Sequence, residues 1–425
     1  MKITNAKGLL ALSPAALFLI LYVVVSLLIG DFYVMPLTVA LLAASVWGIV
    51  ICRGESLAKR IETFSSAAAH SNILYMVWIF ILAGAFASLA KGIGAIDATV
   101  ALTLDLFPPQ FILPAIFAAA CFISISIGTS VGTVVALVPL IVELAHTGGG
   151  SIPLYVATAL GGAFFGDNLS FISDTTIAAT RTQGCSMSDK FKANFLIVLP
   201  AAIIALCVYF IIGYNEAILT PPSDSAPWWL ITPYMVIIVT AIAGMNVTIV
   251  LMLGIFSAFC FAPLRGVGIL DACRMMGDGI DSMGNLIIVT LMAAGMLGLI
   301  KEMGGIDYIL QRLTSHIHGK RGGQAIIAIL VGVVNLCTAN NTVAIITVGS
   351  ISKDISTKYG ITPKKSASIL DTASCVVQSL IPYGAQTLLA TGLAGISPAA
   401  PWSYMYYPWA LIVCLTISII IKRKN

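Results

Sequence analysis

Apolar positions in this chain come in long unbroken runs, not in the alternation of strands or the one-sided stripe of a surface helix. The first half carries such runs near 9–29, 33–52, 73–90, 110–127, 129–146, 152–180 and 192–213. The second half carries them near 229–244, 247–262, 284–300, 323–340, 342–352, 365–394 and 403–421. A helix of about 20 apolar residues spans a bilayer, and a helix apolar on every side belongs in lipid or in a large core. The chain is 59% hydrophobic and 9% charged, against roughly 25% charged in soluble domains. An all-α polytopic membrane protein follows. The run at 9–29 is too long for a signal-peptide core and lacks a small-x-small cleavage site, so it reads as a first transmembrane helix.

The halves repeat each other at offsets near 209–213 residues. Asn72–Asp97 resembles Asn285–Asp307, and Ile127–Val134 resembles Leu336–Val343. Residues 1–213 and 214–425 therefore read as two copies. Their loop charges differ in sense: Arg53, Lys59 and Arg60 are answered at 265–283 by Arg265 and Arg274 against Asp271, Asp278 and Asp281, whereas Lys91 alone is answered by Lys301, Arg312, Lys320 and Arg321. Because basic loops stay cytoplasmic, equivalent loops face opposite sides and the copies are inverted. Each copy then crosses an odd number of times. The reading is about 10 transmembrane helices plus two re-entrant hairpins, at 110–146 and 323–352, with both termini cytoplasmic. Segment 342–352 is too short to span alone.

Segment 152–180 would be about 44 Å long as one helix, too long for a simple span. Gly166-Asp167-Asn168 at its centre predicts a break, and helices broken at midplane in matching places of inverted halves point to a transporter binding site. The segment reads Gly-Asp167-Asn-Leu-Ser170-Phe-Ile-Ser173-Asp174-Thr175-Thr176. An Asp at membrane depth costs about 2.5–3.5 kcal/mol even on insertion scales, so two of them imply use. Na⁺ is a hard cation that takes oxygen ligands, which Asp167, Asp174, Ser170, Ser173, Thr175 and Thr176 supply. The alternative reading is helix capping by the carboxylates and packing by the hydroxyls. Secondary candidates are the hairpin tips, Thr129 and Ser130 against Asn340, Asn341 and Thr342, with Asp371 and Gln378 in the segment matching 152–180. Gln378 is the repeat counterpart of Asp167.

Other features narrow the function. The net charge of +4 lies in short loops, Arg181, Lys190 and Lys192 in one on the inside, where it sets topology and does not suggest nucleic acid. Nine scattered cysteines without a Cys-x-x-Cys pair suit neither a disulfide framework nor a metal centre. No Walker A loop exists for an ATP-driven pump. The Gly-x-Gly-Asp signature of intramembrane aspartyl hydrolases fails at Phe164. His316 and His318 beside Lys320 read as a solvated loop. Trp228, Trp229, Trp402, Tyr404, Tyr406 and Tyr407 read as an interfacial belt. No enzyme activity and no cofactor are expected.

The stretch from Gly166 to Thr176 resembles the Gly-Asp-x-Leu-Ser-x-x-Ser-Asp-Thr-Thr signature of NhaC-type Na⁺/H⁺ antiporters, within the ion-transporter superfamily of inverted-repeat secondary carriers. Ser379-Leu-Ile-Pro382-Tyr-Gly resembles a second element of that family. The chain departs from the pattern at Asn168, where a basic residue often stands, at Phe171, where Pro stands, and at Tyr383-Gly384, which replaces Trp-Asn. The resemblance implies cation and proton binding at Asp167, Ser170, Ser173, Asp174 and Thr175, in a bacterial cytoplasmic membrane. The function expected is Na⁺/H⁺ antiport by alternating access; the alternative is Na⁺- or H⁺-coupled transport of a small organic acid or amino acid. Expected partners are Na⁺, H⁺, the bilayer and, for the alternative, the organic substrate; a homodimer stays open.

Overall fold

The structure, a computed structural model, describes residues 5–29, 35–52, 56–106, 108–171, 173–215, 227–314 and 319–421. Arg53, His316, His318, most of the link between the halves and Lys422–Lys424 lie outside the described residues. All regular elements among the described residues are helices. The first half runs α1 (Asn5–Leu19), continued through a π turn into α2 (Val25–Ile29), then α3 (Leu37–Ile51), α4 (Leu57–Ala68), α5 (Ser71–Gly92), α6 (Ala95–Leu106), α7 (Ile112–Ile127), α8 (Ser130–Thr147), α9 (Ile152–Leu169), α10 (Asp174–Gln183) and α11 (Met187–Asn215). The second runs α12 (Thr232–Ile242), α13 (Val247–Phe261), α14 (Ile269–Ser282), α15 (Gly284–Glu302), α16 (Gly305–Thr314), α17 (Gly319–Thr338), α18 (Asn341–Tyr359), α19 (Pro363–Leu380), α20 (Ala385–Ala394) and α21 (Tyr406–Ile420). Six stretches are long and apolar enough to cross a membrane: 5–22, 73–92, 130–147, 187–214, 269–302 and 319–338. The protein is a polytopic membrane protein.

Element boundaries recur 211 residues apart around the helix breaks: α9 ends at Leu169 and α19 at Leu380, α10 begins at Asp174 and α20 at Ala385, α8 begins at Ser130 and α18 at Asn341. This register differs by two residues from the sequence match of Ile127 with Leu336. Three expectations need correction. The loops at 53–62 and 265–283 contain amphipathic helices, α4 and α14, whose charges pair along their own faces, as in Lys59–Glu62 and Arg274–Asp271. Segment 342–352 extends as α18 to Tyr359, because its polar last turns remain helical. Segment 152–180 does break, but between Leu169 and Asp174; α9 runs unbroken through Gly166, Asp167 and Asn168.

Close packing explains Gly166. A Cβ there would lie 2.2 Å from the Ser124 side chain, and one at Gly162 would lie 2.6 Å from the Phe117 carbonyl. These glycines let α9 lie directly on α7, where Ser124 Oγ donates to the Ala163 carbonyl at 2.6 Å. The pattern is the small-xxx-small contact of membrane helices.

The helices form two groups. Helices α7–α11 and α17–α21 pack together, and α1–α5 pack with α12–α15 alongside. In the second group the halves interlock reciprocally, α5 on α14 and α15 on α4. Backbones touch where α5 meets α14: a Cβ on Gly279 would fall 2.2 Å from the Gly84 carbonyl oxygen, whereas nothing lies within 4 Å of one on Gly277. Gly279→Ala is therefore expected to lose about 1–3 kcal/mol by overpacking. Gly277→Ala on the same helix should gain about 0.5–1 kcal/mol by helix propensity. Thermal unfolding of the two purified variants in one detergent checks the opposite signs.

Candidate functional site

Four helices start around one cavity of about 440 Å³. Its wall is formed by the first residues of α8 (Ser130, Val131), α10 (Asp174, Thr175), α18 (Asn341, Thr342) and α20 (Ala385, Gln386). The turns that end α7 and α17 join them, with Gly128 at φ +75° and Ala339 at φ +49°. An Ala in the left-handed region is strained, and here its carbonyl accepts from Gln378 Nε2 at 3.0 Å. Tyr75 and Asn246 complete one side, hydrogen-bonded to each other at 3.2 Å.

Asp167 lies in the last turn of α9, buried. Its carboxylate accepts from the Ser130 backbone N–H at 3.0 Å and from Ser130 Oγ at 2.5 Å. It thus sits against the positive end of α8, the favourable place for an anion. Ser130 Oγ accepts in turn from Gln386 Nε2 at 3.0 Å, and Gln386 Oε1 accepts from Gln378 Nε2 at 2.9 Å. One hydrogen-bond chain therefore runs from the Asp167 carboxylate across both halves. Gln378 Oε1 is buried without a hydrogen-bond partner. Asp174 is exposed within the cavity as the first residue of α10, and Ser173 Oγ and Thr175 Oγ1 lie 2.9 Å apart beside it.

The sequence candidates divide. Asp167, Ser173, Asp174, Thr175, Thr129, Ser130, Asn340, Asn341, Thr342 and Gln378 line the cavity. Ser170, Thr176 and Asp371 do not. Ser170 Oγ donates to the Ile125 carbonyl at 2.9 Å, tying the helix break to the α7 end. Asn340 Oδ1 also caps α18, accepting from Val343 N at 3.0 Å.

Thr176 and Asp371 belong to a second polar cluster behind α9. Lys190, 1% exposed, forms an ion pair with the fully buried Asp371. Its ammonium also donates to the Asn168 carbonyl and to Thr176 Oγ1, both at 2.7 Å. Asn194 Nδ2 reaches the same Asn168 carbonyl at 3.0 Å and Asp371 Oδ2 at 2.9 Å. A cation thus closes the negative end of α9. Lys190 had read as a loop charge setting topology; it is a core residue. A signal existed: Lys190, Asn194, Ile197, Val198, Ala201 and Ala205 form one buried stripe of α11, with helical spacing. Gln386 is the repeat counterpart of Thr175. Tyr407, expected in an interfacial belt, is buried with its hydroxyl 3.4 Å from Asn168.

A profile of the Na⁺/H⁺ antiporter family matches residues 4–214 and 224–422. The chain belongs to that family. It is a transporter. The Na⁺/H⁺ antiporter NhaC of Alkalihalophilus pseudofirmus is 23% identical over 438 residues, covering 94% of this chain and 92% of that protein. The malate-2H⁺/Na⁺-lactate antiporter of Bacillus subtilis is 20% identical over 420 residues, covering 91% and 89%. The YdaH transporter of Alcanivorax borkumensis, a solved structure, aligns over 85% of this chain and 86% of its own at 13% identity and a TM-score of 0.39.

Breaking a buried ion pair by removing one partner costs about 3–5 kcal/mol, because it strands the other charge. Lys190→Gln and Asp371→Asn are each expected to lose stability on that scale, and the double variant to lose less than either. Thermal unfolding of the three variants checks this; additive losses would show that the two groups act independently.

Proposed function

We propose that this member of the family exchanges Na⁺ for H⁺ at the Asp167 carboxylate, by alternating access. The observation that carries the reading is a buried carboxylate on the wall of a cavity bounded by both helix breaks and both hairpin turns. A bare carboxylate in such a setting is costly, and either a proton or Na⁺ relieves that cost. Occupancy by one excludes the other. Ser130 orients the carboxylate, while Ser173, Thr175 and Gln378 offer further oxygen ligands of the kind Na⁺ takes. Asp174, exposed in the same cavity, attracts the cation electrostatically.

Exchange follows if the two helix groups rock against each other only when Asp167 is neutralised. The recurrence of helix ends 211 residues apart and the opposed loop charges support reading residues 1–213 and 214–425 as inverted copies. The positive-inside pattern supports cytoplasmic termini, and the Bacillus subtilis and Alkalihalophilus pseudofirmus relatives support a bacterial cytoplasmic membrane.

One observation favours a second reading, exchange of a small carboxylate. The cavity volume falls within the roughly 300–1,000 Å³ of small-molecule sites, and four helix N-termini surround it. Such ends hold carboxylates without a Lys or Arg, and the similar Bacillus subtilis protein carries malate and lactate in its name.

The test is a Na⁺ pulse applied to proteoliposomes enclosing a pH dye. Wild type should expel protons, and Asp167→Asn should abolish the response at every Na⁺ concentration. Asp174→Asn should retain exchange with a Na⁺ half-saturation raised about fivefold, the ~1 kcal/mol of a unit charge a few ångströms away in a watery cavity. Proton movement surviving in Asp167→Asn would overturn the assignment. A wild type silent to Na⁺ alone but active in counterflow of labelled C3–C4 carboxylates would establish the second reading.

A further inference from the structure

A second cavity, of about 460 Å³, opens where four helices end together at one rim of the bundle. The starts of α11, α17 and α19 and the last turn of α21 enclose it. Its wall carries Lys192, Lys320, Arg321, Lys364 and Lys365 against one carboxylate, Asp189. Three of the four helices present their positive ends, where backbone N–H groups lack intrahelical acceptors. In the sequence Lys422, Arg423 and Lys424 follow directly after Ile421, another wall residue.

Two of the charged groups are already committed. Lys365 Nζ donates to the Ser418 carbonyl at 3.2 Å and to Ser418 Oγ at 3.0 Å, closing the negative end of α21. Asp189 accepts from Ser186 Oγ at 2.8 Å, a local cap at the start of α11. Lys192, Lys320, Arg321 and Lys364 remain exposed around the opening. A cluster of one sign at the mouth of a cavity raises the local concentration of anions.

A buried group points to more than diffuse charge. Gln324, on the wall of this cavity and 7% exposed, has a buried Oε1 without a hydrogen-bond partner. Burying an amide oxygen without a donor costs about 1–3 kcal/mol. A ligand hydroxyl would supply that donor. Apolar residues flank the opening: Leu196 is 51% exposed and Ile421 is 58% exposed. That combination of cationic rim, polar floor and apolar flank suits a headgroup with acyl chains beside it.

We propose that this cavity binds an anionic phosphate group carrying a free hydroxyl, as in a glycerol phosphodiester. The phosphate sits among Arg321, Lys320, Lys364 and Lys192, and the hydroxyl donates to Gln324. The site lies apart from the Asp167 cavity and is independent of which species the protein transports.

The test titrates the delipidated, detergent-purified protein with phosphatidylglycerol, phosphatidylcholine or inorganic phosphate and reads the midpoint of thermal unfolding. Phosphatidylglycerol should raise the midpoint saturably and phosphatidylcholine should not. Arg321→Gln/Lys364→Gln should bind roughly thirtyfold more weakly, at about fivefold per cation. Gln324→Leu keeps every charge and should weaken phosphatidylglycerol without changing the response to inorganic phosphate. A saturable effect of inorganic phosphate equal to that of the lipid, insensitive to Gln324→Leu, would overturn the hydroxylated ligand in favour of a simple anion. Equal responses to both lipids, or variants that respond as wild type does, would overturn the site.

Discussion

An unpaired backbone group at membrane depth is the constraint on which the rest of this structure depends. Each costs several kcal/mol where no water can reach it. Two interrupted helices and the two hairpin turns facing them free a set of carbonyls and N–H groups, and the surroundings answer them individually. Lys190 and Asn194 take the Asn168 carbonyl. At the end of α17, Tyr383 takes the Leu336 carbonyl at 2.7 Å. On the donor side, the Asp167 carboxylate accepts the first N–H of α8. The polar cluster behind α9 and the polar cavity in front of it are two consequences of the same interruption.

That constraint acts on both halves, yet its solutions differ. At the first break a carboxylate, Asp167, meets the start of α8; at the equivalent place stands Gln378, and α18 is capped from within by Asn340. The turn before α8 uses Gly128, which takes a positive φ freely, while its partner uses Ala339, which does not. The second half thus keeps the shape and drops the charge. Its polar groups support the Asp167 carboxylate through Gln386 and Ser130 instead of offering a second one.

Much of this was legible in the sequence because it follows from length and charge. The apolar runs, the duplicated segments and the acidic pair announced a broken-helix membrane protein, and ten of the thirteen candidate site residues line the cavity. The misreadings share a cause. Gly166 looked like a helix breaker, but a glycine that ends a helix and a glycine that admits a neighbouring helix are the same letter; only the position of Ser124 on α7 decides. Lys190 looked like a loop cation because Asp189 and Lys192 flank it, and those two do face outward. Its inward direction emerges only when the buried stripe of α11 is extended backwards by one turn to include it. Thr176 resembled an ion ligand because hydroxyls serve Lys190 as well as they serve Na⁺.

The buried charges can be counted among the described residues: Asp167, Asp371 and Lys190. Lys190 and Asp371 cancel as a pair, so one uncompensated negative charge remains, and it stands in the cavity. A group of rigid helices carrying a net charge through a low-dielectric barrier meets an energy that scales with that charge. On the proposed reading, one H⁺ or one Na⁺ at Asp167 brings the buried set to neutrality, and the empty carboxylate is the state that resists movement. The Lys190–Asp371 pair then does more than close α9. By cancelling internally it leaves Asp167 as the single group whose occupancy decides whether the core carries charge, and the rule that exchange requires occupancy follows from electrostatics without a separate gate.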